Sequence, residues 1–562
     1  MCVLNYRLFL LCALLLTACS DGGGNTTTQT TPPSNSEPAV SSVTDAVLGS
    51  ATTCSPAGTT VVVSGTVSYE RVPFSSTLGA GLDYSNIQTL PVRGVEIQAL
   101  GSGDCIINTA ITDSTGVYSV TVEQNTDVKM RVKAKTSSTT GAIWDFEVRD
   151  NTSSNGLYVL DGSLVGAGST NSTRNLTATS GWTGSAYGST RSAAPFAILD
   201  SIYEAIQAVV AVDATINMDD ADIFWSINNN TANGTLANGE IGDSFYSNDA
   251  FYILGAADSN TDEFDQHVIV HEWAHYFEDN LSRLDSVGGL HALTDALDMR
   301  VALSEGFANT FSGIVLDDSV YRDSGGASQA SDIMTFDLET NASTGIGWFS
   351  EDSVQTILYD IFDGNVDAND GVNLGFSAIY NAMTSAAYTA QSSLASIFSL
   401  TQQIKSQNGG SSSAIDTLLT SQNIIVNDFF ATGETNNGGD ANNLPVYKTL
   451  ADDGFPVIVC SSKTEGEVNK LGNRQFLRLN VVSAGSHNIS ISRVSGLAAS
   501  NPDARVYLNG SLAFSGSSSV NNAETIVANL DAVEYILEVY DFSNTDNVSS
   551  TGGDVCFNVF VF

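Results

Sequence analysis

Basic side chains are scarce: 21 Lys and Arg stand against 62 Asp and Glu in 562 residues, a net charge of -41. The acidic residues run along the whole chain rather than forming a tail, so the surface repels polyanions. That argues against nucleic acid and anionic lipid as partners, and a surface of this kind stays soluble in salt, as a saline habitat would require. Cysteines number 7 and show no Cys-x-x-Cys spacing, which argues against a thiolate metal site. Beyond the first residues no apolar run reads as bilayer-spanning. Histidines number only 5, yet His267, His271 and His275 fall within nine residues. What is present is a folded composition, 42% hydrophobic with aromatics throughout, long enough for about three domains.

The histidines lie in Asp265 to Asn280, DQHVIVHEWAHYFEDN, where His271, Glu272 and His275 form a His-Glu-x-x-His pattern. On a helix the four-residue spacing stacks both imidazoles on one face, where they can meet one metal ion, and Glu272 can reach a water beside it. Asn260 and Glu263, ahead of the apolar Phe264, Val268, Phe277 and Leu281, predict the helix start. Catalytic zinc takes three protein ligands and keeps one position open. The third candidate is Glu305, in VALSEGFANTFSGIVL, where Val301, Ala302, Ala308, Phe311 and Ile314 recur at helical spacing. A carboxylate buried there needs a partner, and a metal is a good one. His267 reads as a surface or supporting group, since one helix cannot easily offer three stacked imidazoles to a tetrahedral ion.

These segments resemble the gluzincin metallopeptidases, in which His-Glu-x-x-His is completed by a glutamate on a following helix. Ser304-Glu305-Gly306-Phe307-Ala308-Asn309 resembles the Asn-Glu-Gly-Phe-Ala segment of the aminopeptidase branch and the Gly-Glu-Gly-Trp-x-Asp segment of the fungalysin and thermolysin branch. The resemblance implies one Zn²⁺ on His271, His275 and Glu305, Glu272 as general base, and a peptide or protein substrate. In such enzymes a sheet edge beside the zinc helix holds the substrate backbone; FYILG at 251–255 could serve, or be an ordinary core strand. Asn309 stands where the thermolysin branch has an aspartate; its amide oxygen can accept an imidazole N–H, without the charge that raises ligand basicity. In GWFSEDSVQTILYDIF (347–362), Trp348 falls where fungalysin-type enzymes carry an oxyanion-binding histidine, which leaves Tyr359 and His291 as the candidate donors.

Residues 1–18 hold one basic residue, Arg7, and the apolar run Leu8 to Leu16; Leu16-Thr17-Ala18-Cys19 resembles the bacterial lipobox. The resemblance implies cleavage before Cys19, lipidation of its thiol and contact with the membrane through that lipid only. Ser20 favours the outer membrane of a bacterial cell envelope by the enteric sorting rule. Residues 19–54 read as a disordered tether. The expected fold is multidomain, an α+β thermolysin-like metallopeptidase domain (143–431) flanked by all-β sandwiches. The N-terminal sandwich (55–142) contains Thr112 to Tyr118, which resembles the Asp-x-x-Gly-x-Tyr turn of carboxypeptidase-regulatory-like modules. After a linker (432–455), residues 456–562 alternate as half-buried strands do and resemble the pre-peptidase C-terminal sandwich of secreted bacterial proteases.

Cys54, Cys105, Cys460 and Cys556 remain after the N-terminal cysteines and allow three pairings. The economical one joins Cys54 to Cys105 and Cys460 to Cys556. Segment 363–371, DGNVDANDG, is rich in oxygen ligands and could hold Ca²⁺, but it lacks glycine at the sixth position of an EF-hand loop and reads more plainly as a polar turn. Two other functions stay open: a catalytically silent, zinc-stabilised scaffold, and an adhesion or binding lipoprotein without metal. Glu272 argues for an enzyme, since a scaffold has no need of a general base. If Cys19 carries the anchor, Cys19→Ala moves the expressed chain from the membrane pellet to the soluble fraction on centrifugation; a variant that still pellets with membranes contradicts the lipid reading.

Overall fold

The computed structural model describes residues 39–43, 48–49, 51–188, 190–340, 342, 344–364, 371–546 and 551–562. The expected signal sequence, Cys19, most of the tether, and residues 365–370 of the calcium candidate lie outside the described residues.

Thr60–Arg71 buries alternate side chains, with Val61, Val63, Val67 and Tyr69 facing inward, as a half-covered strand must. It centres a five-stranded sheet. Behind it lies a ten-stranded sheet whose main path runs Phe245–Ser247, Ala250–Ile253, Ala221–Trp225, Ala142–Asp150, Gly156–Asp161, Asp127–Thr140, Val95–Leu100, Ile106–Ile111. This sheet crosses the expected boundary at 142/143. A tight turn at Gly141 folds Asp127–Thr140 back on Ala142–Asp150, and the latter pairs in parallel with Ala221–Trp225. The N-terminal strands and the motif region therefore share one sheet and one apolar core. The expectation of a separate N-terminal sandwich beside a self-contained α+β domain is corrected accordingly: the chain is several β-sheets, with its longer helices among the described residues gathered between residues 194 and 421.

Ala39–Val43, inside the expected tether, pairs antiparallel with Gly156–Asp161, where backbone groups at a strand edge supply its partners. Ala250–Ile253 is not an edge: Ala221–Trp225 and Phe245–Ser247 flank it, so FYILG is a core strand and Phe245–Ser247 ends the sheet.

Four helices position the site. Helix α1 (Ala194–Val212) begins with Pro195 in its first turn and buries Phe196, Ile198, Ile202, Ile206 and Val209. It is long and apolar enough to cross a membrane by length and composition, yet most of it is buried in the core. Helix α2 (Gln266–Leu281) carries the motif, α3 (Met299–Leu316) carries Glu305, and α4 (Glu351–Phe362) crosses α3. The expected start signal of α2 is not used. Asn260 pairs with Ala256 in a short hairpin, and the Glu263 carboxylate is held by Arg191 at 2.7 Å, so the helix begins at Gln266.

The C-terminal region is a sandwich of five and four strands, with Leu477, Leu479, Leu537, Val539 and Val559 between the sheets. Its first strand, Tyr447–Ala451, comes from the expected linker and pairs in parallel with Arg474–Asn480. Cys54–Cys105 and Cys460–Cys556 are disulfides, with Cα separations of 5.6 and 4.0 Å. The alternation in Glu534–Asp541 does not mean a solvated face, for Ile536 and Glu538 are buried against the main body. There Arg300, 1% exposed, pairs with Glu538 at 3.0 Å and Asp298 at 2.8 Å. Burial works to raise the Glu538 carboxyl, but Arg300 and Arg474 hold it well below the usual carboxylate range. A depressed carboxyl stabilises the fold above its unfolded value and loses that contribution only as pH falls through the folded one. Glu538→Ala takes the carboxylate from Arg474 and leaves Arg300 with Asp298 alone, and is expected to cost about 3–5 kcal/mol in urea unfolding near neutral pH; a loss below about 1 kcal/mol, the level of a surface pair, contradicts this role.

Candidate metal centre and active site

His271 and His275 are one turn apart on α2, and Glu305 faces them from α3. The Nε2 atoms of the two histidines are 3.2 Å apart. Glu305 Oε2 lies 3.2 Å from His271 Nε2 and 3.4 Å from His275 Nε2. The sequence-derived triad is thus brought together as a group that could hold a metal ion.

The supporting contacts place a hydrogen on Nδ1 of each histidine and turn Nε2 to the cluster. Asn309, one turn after Glu305, donates through Nδ2 to Glu351 Oε1 and Gln355 Oε1, each at 2.8 Å. With its NH₂ so engaged, its Oδ1 faces His271 Nδ1 at 2.8 Å and can only accept. A proton of His271 is therefore on Nδ1, and Nε2 points at the cluster. His275 Nδ1 lies 3.2 Å from Ser304 Oγ and 3.5 Å from Glu278 Oε2, and Ser304 Oγ donates to the same carboxylate oxygen. A carboxylate accepts only, so His275 too places its proton on Nδ1. Glu278 was missed in the sequence; its spacing of three from His275 on the same helix was the available signal.

Close helix crossing makes this possible. A Cβ on Gly306 would sit 2.6 Å from Val354 Cγ1, so a glycine after Glu305 lets α4 approach α3 and bring Glu351 and Gln355 to Asn309. Glu351, also missed, is 5% exposed, and its Oε2 has no hydrogen-bond partner. His291, from the loop between α2 and α3, points Nε2 at Glu351 Oε2 (3.5 Å) and Glu305 Oε2 (3.6 Å).

Glu272 is 8% exposed, and its Oε2 accepts from the Tyr246 N–H at 2.8 Å, which ties it to the edge strand Phe245–Ser247. Burial pushes its carboxyl above the ordinary range against the pull of His271 and His275. Of the candidate donors, only His291 reaches the cluster. Tyr359 packs on Phe362 and over Gly313, two turns along α3 from Glu305 or about 12 Å, because its helix face turns into the core. Trp348 is likewise buried away from the cluster, donating to Asn436 O at 2.8 Å. His267 is buried, not superficial: Nδ1 meets Ser312 Oγ at 2.9 Å. A residue with no signal in the sequence, Tyr321, stands edge-on to His271 with ring centres 6.1 Å apart and stacks on Phe336. Burial raises its hydroxyl well above the ordinary value, with Asp323, Glu272 and Glu351 among the charges adding to the shift.

Residues 226–445 match the family model of the mycolysin C-terminal domain, a peptidase-family domain. The matched stretch contains the motif, Glu305, Asn309 and Glu351. No curated protein matches the chain. Among solved structures, the pre-peptidase C-terminal domain of collagenase from Bacillus anthracis is 18% identical over 21% of this chain and 94% of its own, at a TM-score of 0.16. A family 35 carbohydrate-binding module from Clostridium thermocellum is 21% identical over 20% and 95%, at 0.13. The lysozyme inhibitor PliG of Aeromonas hydrophila is 12% identical over 21% and 97%, also at 0.13. At such TM-scores none of the three bears on fold or function.

The Asn309 amide orients His271, a candidate metal ligand, so if a metal binds there Asn309→Ala should weaken it about 10- to 100-fold in chelator competition, with an unchanged circular dichroism spectrum. Unchanged affinity would remove Asn309 from the site.

Proposed function

We propose that the chain is a zinc metallopeptidase of the bacterial cell surface, anchored by lipid on Cys19, that hydrolyses peptide bonds in peptide or protein substrates. One observation carries the reading: the Nε2 atoms of His271 and His275 and the Glu305 Oε2 atom converge on one point, with each imidazole Nδ1 turned to an acceptor behind it. Burial works against charge on His275, but Glu305, Glu278 and Glu272 raise its proton affinity well above the ordinary imidazole value, so the cluster calls for a cation among its members, and a metal ion can take the place of that proton. The separations of 3.2, 3.2 and 3.4 Å among the three atoms match the edges of a tetrahedron with metal–ligand distances of about 2.0–2.1 Å, which are about 3.3–3.4 Å. Two nitrogens with one oxygen is the ligand set of catalytic zinc. The match to a peptidase-family domain over the same residues supports the substrate class.

Bound there, zinc supplies Lewis acidity and makes water nucleophilic near neutral pH. The chain's own groups do the rest. His271 and His275 are held in the ligating tautomer by Asn309 and Glu278. Glu272, one oxygen anchored on Tyr246, takes the proton of the attacking water and passes it to the leaving amine. Its raised proton affinity suits a group that must both accept and return a proton. His291 Nε2 is the donor available to a developing oxyanion. The outer edge of Phe245–Ser247 offers backbone groups to an extended substrate.

The test incubates the chain with a diverse peptide mixture beside Glu272→Ala and reads cut sites by mass spectrometry. Cleavage that falls at least about 100-fold in the variant and stops under chelation supports the peptidase. No cleavage by a folded, zinc-loaded wild type overturns it.

A further inference from the structure

A second group of acids lies beyond the N-terminus of α2. Asp262 and Asp265 sit in the turn that leads into the helix, 1% and 0% exposed, and Asp323 reaches them from the strand Val320–Gly325. Oxygens of the three carboxylates lie within 4.8 Å of one another. Neighbouring donors satisfy only part of the set. Asp265 accepts from Ser324 N and Oγ, both at 2.8 Å, and Asp262 Oδ2 accepts from Ser244 Oγ. Asp262 Oδ1 and Asp323 Oδ1 are buried with no hydrogen-bond partner. The Gln329 side-chain oxygen is in the same position, while its NH₂ donates to Ser324.

No basic side chain compensates this charge. Arg191 is held by Glu263, Arg71 donates to the Phe264 carbonyl, and Arg322 donates to the Ser75 carbonyl. Among the described residues no Lys or Arg pairs with any of the three carboxylates. Burial, then mutual repulsion, holds all three carboxyls well above the usual range, the signature of anions placed together without a counter-ion. Two arrangements relieve this: the carboxyls share protons, or a cation sits between them.

We infer that Asp262, Asp265 and Asp323 form a binding site for one Ca²⁺ ion that fastens the start of the motif helix to the strand Val320–Gly325. All-oxygen donors select a hard cation over zinc. Calcium accepts six to eight oxygens at 2.3–2.6 Å in flexible geometry and so tolerates unequally spaced carboxylates, with the rest of its shell from carbonyls or water. Unpartnered oxygens on two of the three aspartates are its points of attachment. The ion fixes both the residue preceding α2 and the strand that carries Tyr321, whose ring packs edge-on against His271. This inference stands independently of the zinc reading.

The two arrangements differ in sign under mutation. Full-length chain in detergent, zinc-loaded and freed of calcium, is titrated with CaCl₂ while the unfolding midpoint and the binding heat are followed, for wild type, Asp262→Asn and Asp323→Asn. Wild type is expected to bind Ca²⁺ saturably and gain several degrees, and each variant to lose one equivalent and that gain. Without calcium, Asp262→Asn should unfold no earlier than wild type, because it removes repulsion. A wild type indifferent to Ca²⁺, a calcium response that survives in both variants, or an Asp262→Asn variant destabilised equally with and without calcium overturns the inference.

Discussion

Two imidazole nitrogens and a carboxylate oxygen brought to one point set the terms for the rest of the molecule. Two imidazoles and a carboxylate packed this closely demand a cation among them, and a fold that builds the arrangement must hold each group in place from behind. The support is visible residue by residue. Glu351 and Gln355 take both protons of the Asn309 amide, Asn309 takes the His271 proton, and Glu278 with Ser304 does the same for His275. Each link is a statement about which atom can donate, and together they turn both Nε2 atoms and the Glu305 carboxylate inward.

Those links depend on how closely the helices approach. Gly306 lets α4 cross α3 at a distance no other side chain permits, and α3 is held in turn from its N-terminus by Arg300, buried between Asp298 and Glu538. The C-terminal sandwich is therefore more than an appendage. It supplies the carboxylate that neutralises a cation at the start of the helix bearing Glu305. On the other side, the ten-stranded sheet delivers Phe245–Ser247 to Glu272, so strands that begin near residue 95 share a scaffold with the proposed general base.

The triad was legible because helical spacing of histidines and a carboxylate flanked by apolar residues are local facts, and Asn309 followed from its position one turn on. Local patterns also gave the C-terminal strands and the two disulfides. What could not be read were contacts made across the fold. Glu351 and Tyr321 reach the cluster from segments far along the chain, and nothing in their neighbours marks them. Tyr359 was a reasonable donor by sequence, yet the rotation of α4 turns it into the core. Glu263 resembled a helix cap until Arg191, some 70 residues earlier, claimed it. Alternation in Glu534–Asp541 implied a wet face, but Ile536 and Glu538 meet the main body there. The boundary at 142/143 failed to divide the sheets for a similar reason: a tight turn at Gly141 reads alike within a domain and between two.

The measurement closest to the central claim is zinc K-edge X-ray absorption on the purified, zinc-loaded chain, with metal content determined on the same sample. The account predicts one zinc per chain with imidazole scattering from two histidines and only nitrogen or oxygen neighbours at about 2.0–2.1 Å, lost together in His271→Ala. A chain that retains no zinc, a sulfur neighbour near 2.3 Å, or a first shell unaffected by His271→Ala would contradict it.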